Sequence, residues 1–78
     1  MIFFNFLDRL KELNFNFKYP QNLKNYVVIW DNNNERILHR ILCYNSIVFI
    51  NEKLYELTYL TKCSEQSLVL LMIENEKS

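Results

Sequence analysis

The stretch Ser46-Ile47-Val48-Phe49-Ile50-Asn51-Glu52-Lys53-Leu54-Tyr55-Glu56-Leu57-Thr58-Tyr59-Leu60-Thr61 decides the fold. Two runs rich in β-formers, residues 46–50 and 53–61, flank the polar pair Asn51-Glu52, which is the signature of a β-hairpin. In the second run Tyr55, Leu57 and Tyr59 fall on one face and Glu56, Thr58 and Lys62 on the other. A period of two of this kind buries one side of a strand and leaves the other in water.

Working outward, Leu68–Ile73 is apolar at every position, as expected of a strand covered on both faces or paired centrally, and residues 74–78 read as a loose tail. Upstream, Tyr26–Trp30 is a β-branched and aromatic strand. Asp31, Asn32, Asn33 and Asn34 follow it as a turn whose residues can take left-handed conformations without glycine. Residues 35–44 admit two readings. As a strand they place Ile37, His39, Ile41 and Cys43 on one face; as a short helix capped by Asn33 or Asn34 they align Ile37, Leu38, Ile41 and Leu42. A hairpin follows naturally from the turn at 31–34, which favours the strand, and the helix stays open as the alternative.

At the amino terminus Phe3, Phe6, Leu7, Leu10 and Leu13 recur at spacings of three and four, opposite Asp8, Arg9, Lys11 and Glu12. This predicts an amphipathic helix over Ile2–Leu13. A helix lying on a membrane would carry a surplus of Lys and Arg, and here two basic residues meet two acidic ones, so packing on a sheet is the expected role. Asn14 stands where a glycine C-cap would. Phe15, Phe17 and Tyr19 then alternate with polar residues before Pro20, which predicts an edge strand or ordered connector with three aromatics on one side. The expected fold is a single α+β domain over residues 1–78: an amino-terminal helix packed on a four- to five-stranded antiparallel sheet.

Composition limits function more than any motif does. The 78 residues include eleven Asn, one Pro, no Gly and no Ala. Glycine is needed wherever backbone closes on a phosphate, so the dinucleotide fingerprint, the P-loop and the kinase glycine-rich loop are excluded. The same bias points to an AT-rich coding genome. Nine basic residues balance nine acidic ones, which gives no positive footprint for nucleic acid. The amino terminus lacks the features of a secretory signal, and the longest apolar run falls far short of the ~20 residues that cross a bilayer, so a cytoplasmic protein is expected. Two cysteines, Cys43 and Cys63, fit free thiols in a reducing compartment.

Candidates for chemistry are few. His39 and Cys43 would neighbour each other on a helix, but in a strand they lie about 13 Å apart, too far to share a proton. Cys43, Cys63 and His39 lack zinc spacing, and the carboxylate pairs Glu52/Glu56 and Glu74/Glu76 fall in an expected turn and tail. No metal, no cofactor and no enzymatic activity are expected. Lys24, Arg36 and Arg40 with Tyr26, Trp30 or the Tyr55/Tyr59 pair could form a basic and aromatic sheet face for nucleic acid, which is the alternative function.

Half of the residues are apolar, and so small a chain cannot hide them all, so a homo-oligomer or a protein-binding face is expected. The candidate anchor is Phe15, Phe17, Tyr19 and Trp30, rimmed by Asp31, Asn32, Asn33 and Asn34. In size and composition the chain looks like the small proteins that phages and other mobile elements make to block host systems, anti-CRISPR proteins included. That resemblance covers no motif. It implies a non-enzymatic inhibitor that binds a host protein.

Overall fold

The computed structural model describes residues 2–19 and 25–76, and at residues 2 and 4 the backbone alone. The chain runs α1 (Ile2–Glu12), β1 (Phe17–Lys18), β2 (Tyr26–Asp31), β3 (Arg36–Tyr44), β4 (Ile47–Ile50), β5 (Lys53–Glu56), α2 (Leu57–Lys62) and α3 (Glu65–Glu74). The five strands form one antiparallel sheet in sequence order, a meander in which each strand pairs with the next. This is the α+β architecture, with the amino-terminal helix and two later helices packed on the sheet.

Without glycine the turns rely on asparagine and glutamate. Asn14 takes φ 69° just past α1; its N–H reaches the Lys11 carbonyl at 3.0 Å, and the Phe15 N–H reaches that of Leu10 at 3.3 Å. These two bonds make a Schellman motif, with Phe15 folding back toward Leu10 as that motif favours. Asn51 and Glu52 have φ 50° and 73°, the two positive values that a two-residue type I′ turn needs between β4 and β5. Asn45, at φ 53°, turns β3 into β4. In the loop from Asp31 to Arg36 the left-handed residue is Glu35, at φ 51°. The Asp31 carboxylate accepts from the N–H groups of Asn33 and Asn34, at 3.0 and 3.4 Å, and from the Asn34 side-chain amide at 2.7 Å. Those bonds, the Asn34 side chain first, hold the Asp31 carboxyl below its ordinary pKa.

Exposed Glu35 costs about 1–2 kcal/mol in left-handed geometry, more than the roughly 0.5–1 kcal/mol of backbone entropy a glycine would lose there. Glu35→Gly should therefore raise stability by about 0.5–1 kcal/mol, read from the urea midpoint; a fall would mean that the glutamate side chain stabilises the loop.

The core lies between the helices and one face of the sheet. Phe6, Leu7 and Leu10 of α1, Leu57 and Leu60 of α2, and Leu68 and Met72 of α3 meet Val27, Ile29, Ile41, Cys43, Val48 and Ile50. The register aligns these strand residues: Val27 opposes Ile41, Ile41 opposes Ile50, and Cys43 opposes Val48. Arg9 ties α1 to the end of α2, donating to the carbonyls of Thr61 and Cys63 at 2.7 and 2.6 Å.

Of the two readings of residues 35–44 the favoured strand forms and the alternative helix does not: Arg36–Tyr44 is the long central strand β3. Three other expectations are corrected. The hairpin's second strand ends at Glu56, and 57–62 is helical, because Leu57 and Leu60, three apart, both reach the core there. The Leu57 N–H still bonds the Ser46 carbonyl at 2.9 Å, so the helix grows directly out of the ladder. Leu68–Ile73 is the body of α3, capped by the Ser64 hydroxyl accepting from the Ser67 N–H. Leu and Met are stronger helix formers than strand formers, and burial of Leu68 with Met72 uses the i, i+4 spacing. Where a loose tail is expected, Glu74 still lies in α3, and Asn75 and Glu76 bond Tyr55 and Arg36, at 2.8 and 3.2 Å. Residues 77 and 78 lie outside the described residues.

Candidate protein-binding face

Antiparallel pairing brings residues of equal face directly opposite each other, so the register alone lays out the side of the sheet turned away from the helices. Tyr26 opposes Leu42, Leu42 opposes Phe49, and Phe49 opposes Leu54, an unbroken apolar row across β2, β3, β4 and β5. A shorter row beside it joins Tyr44, Ile47 and Glu56. On the other flank Lys18, Val28 and Arg40 are aligned. Leu54 is 59% exposed and Tyr44 56%, and Ile47 is exposed as well. Among the described residues all three helices pack on the opposite side. Tyr26, Arg40, Leu42, Tyr44, Phe49 and Glu52 line a shallow groove of about 500 Å³ on this face.

Polar groups border the row. Arg40 donates to the Tyr26 hydroxyl at 3.3 Å, and the Lys18 ammonium sits 3.8 Å from the centroid of Trp30. Such cation–π contact is worth about 0.5–2 kcal/mol. Tyr44 meets Phe49 edge to face at 6.5 Å. Lys18 and Arg40 lie toward the β1 side and Glu52 and Glu56 on β5 or its turn, so the face carries both signs.

The expected anchor is divided between two sides of the sheet. Phe15 and Phe17 are half-buried against the core, on the helix side. Tyr19, 51% exposed, stacks on Phe17 at 6.2 Å, and Lys11 reaches over both rings. Trp30 lies on the other side under Lys18. Asp31 ends β2 and Asn32, Asn33 and Asn34 occupy the β2–β3 loop, which the Asp31 carboxylate is engaged in ordering. Lys24, expected in a basic strip with Arg36 and Arg40, lies outside the described residues; Arg36 pairs with Glu76 at 3.2 Å and Asp31 at 3.7 Å. Tyr55 packs inward, and its hydroxyl accepts from Asn75.

Leu42, Tyr44, Ile47, Phe49 and Leu54 were not singled out by sequence reasoning, although a signal exists. β4 is apolar at all four positions, and the carboxyl-terminal half of β3 is apolar at both parities. A strand that is apolar on both faces needs cover on both.

Catalytic geometry does not assemble from the candidates. His39 and Cys43 are both buried on β3, four residues apart along an extended strand. Burial pushes the Cys43 thiol up in pKa, which keeps it protonated and inert. His39 donates its Nε2–H to the Met72 carbonyl, which can only accept, so Nε2 carries the proton. No group of His, Cys, Asp and Glu among the described residues could hold a metal ion, and no described helix is long and apolar enough to cross a membrane. Comparison of the chain with protein-family models, with curated proteins and with solved structures finds no match.

Proposed function

We propose that the protein is a non-enzymatic protein-binding module that recognises its partner through the bare face of the sheet. Its role would be that of a small inhibitor of the kind phages and mobile elements direct at host proteins, anti-CRISPR proteins included. The observation that carries the binding reading is the apolar row Tyr26–Leu42–Phe49–Leu54, which crosses four strands with its last member 59% exposed. Contiguous apolar surface with a polar rim is the anatomy of a protein interface. Size, zero net charge and AT-rich residue usage support the inhibitory context. Nucleic acid is the less favoured occupant, because Lys18 and Arg40, the cations of this face among the described residues, already contact Trp30 and Tyr26, and Glu52 and Glu56 share it.

Immobilised protein would be used to capture partners from lysate, with and without nuclease, comparing the wild type with Phe49→Asp and Tyr19→Ala. A charge at the centre of the row should reduce captured protein tenfold or more, roughly the effect of losing a hot-spot residue, while Tyr19→Ala keeps it. Capture unaffected by Phe49→Asp in a variant that melts normally would overturn this reading. Loss of the captured material on nuclease treatment would replace it with the nucleic-acid one.

A further inference from the structure

The bare face is self-complementary about one particular axis. Asn51 lies beside Arg40, the two exchanging bonds of 2.9 and 2.8 Å, and extending the β4–β5 register by one residue pairs Asn51 with Glu52. Arg40, on β3, and Glu52, on the β5 side, therefore stand at the same height, one strand to either side of β4. Leu42 and Leu54 flank Phe49 in the same way, as do Tyr44 and Glu56 flanking Ile47.

We propose that this face is occupied by a second copy of the chain, in a two-fold dimer whose axis runs along β4. The inference rests on the reading of the face as protein-binding and names its occupant in the absence of a host partner, which would compete with the second copy for the same residues. Rotation about that axis sets Arg40 against Glu52 of the second copy, Leu42 against Leu54, and the Tyr44 hydroxyl against the Glu56 carboxylate; Phe49 and Ile47 meet their own counterparts. The other two-fold arrangements are opposed by charge. An axis along β3 would set Arg40 on Arg40, and an axis across the strands would set Glu52 near Glu56. A homodimer interface of this type is isologous, the same patch used twice.

Area sets the strength. This axis superposes only β3, β4 and β5, and strands about 4.8 Å apart, with about 3.3 Å per residue along them, give roughly 240 Å² of sheet per copy. A standard interface buries about 800 Å² per partner, so the dimer is small, reversible and weak, forming toward the upper end of the micromolar range.

Sedimentation equilibrium across the micromolar range tests the arrangement. The wild type should pass from monomer to dimer, and Arg40→Glu or Glu52→Arg alone should weaken the dimer about tenfold by placing like charges together. The double variant should recover to within about threefold of the wild type, because the pair is merely reversed. Leu54→Lys, at an already exposed position, should abolish dimerisation without threatening the fold. A dimer that survives both single swaps and Leu54→Lys, or a double variant that stays monomeric, would overturn the proposal. A wild type that remains monomeric throughout would also overturn it, while leaving a different protein as the occupant of the face. Monomer that carries nuclease-sensitive material and loses it with Phe49→Asp would overturn both the dimer and the protein-binding reading.

Discussion

Phe6→Ala should lower the free energy of unfolding by about 3–5 kcal/mol, the cost of deleting a fully buried aromatic ring and leaving a cavity that the surroundings only partly fill. Phe6 is wholly buried at the centre of the cluster formed by α1, α2, α3 and the inner face of the sheet. A chain of 78 residues has roughly 4–12 kcal/mol of stability in total. One side chain therefore commands a large share of it, and the variant should be substantially unfolded at physiological temperature. Urea unfolding followed by far-UV circular dichroism measures the loss. Leu70→Ala, on the solvent side of α3, provides the comparison and should change stability by no more than about 0.5 kcal/mol. Equal effects from the two substitutions would mean that the core is not where the structure places it.

His39→Leu should cost about 1–3 kcal/mol at neutral pH, because it strands the Met72 carbonyl without its buried donor. That carbonyl belongs to the last turn of α3, whose terminal oxygens have no partner within the helix. His39 thus fastens the third helix to the central strand. Phe15 closes over the imidazole edge to face at 6.3 Å, and Nδ1 is buried without a partner. The same burial lowers the pKa of His39, outweighing the Met72 carbonyl and the charge of Glu76, both of which favour the imidazolium. The folded protein therefore holds the neutral ring, whereas the unfolded chain takes up a proton near pH 6.5. Its contribution is complete above that pH and is lost as pH falls through the lower folded-state value. Urea midpoints should drop between pH 7.5 and about 5 in the wild type, and His39→Leu should flatten that slope. An equal slope in both proteins would assign the acid sensitivity to carboxylates. Asp31, whose pKa is held down by Asn34, is the candidate for a separate loss below its ordinary value of 3.8.

The outer face and the core answer to different constraints on the same strands. Along β3, His39, Ile41 and Cys43 are fixed by the helices above them, whereas Arg40, Leu42 and Tyr44 are free of that packing. Apolar character at Leu42 and Tyr44 does not serve the core, and at Phe49 and Leu54 it serves none of the helices among the described residues. Contiguous apolar surface of this kind is what the proposed protein-binding reading rests on.

Several features were legible in the order of residues alone. The 3–4 spacing from Phe3 to Leu13 specified α1, Asn14 specified its end, and Asn51-Glu52 specified the β4–β5 hairpin, because each depends on backbone preferences within a few residues. The missing glycines ruled out glycine-rich phosphate-cradling motifs for an equally local reason. The segment from Leu57 to Ile73 could not be read this way: its leucines satisfy a strand period and a helical one, and the choice fell to packing in the core shared with α1, far along the chain. The site was hidden for the same reason. Which parity of β2, β3 and β4 faces water follows from the side of the sheet on which the helices settle, and that side is decided when Phe6, Leu60, Leu68 and Met72 converge on a single face. Tertiary packing thus turned Trp30 away from Phe15 and Phe17, and it aligned Tyr26, Leu42, Phe49 and Leu54 from four separate strands into one row.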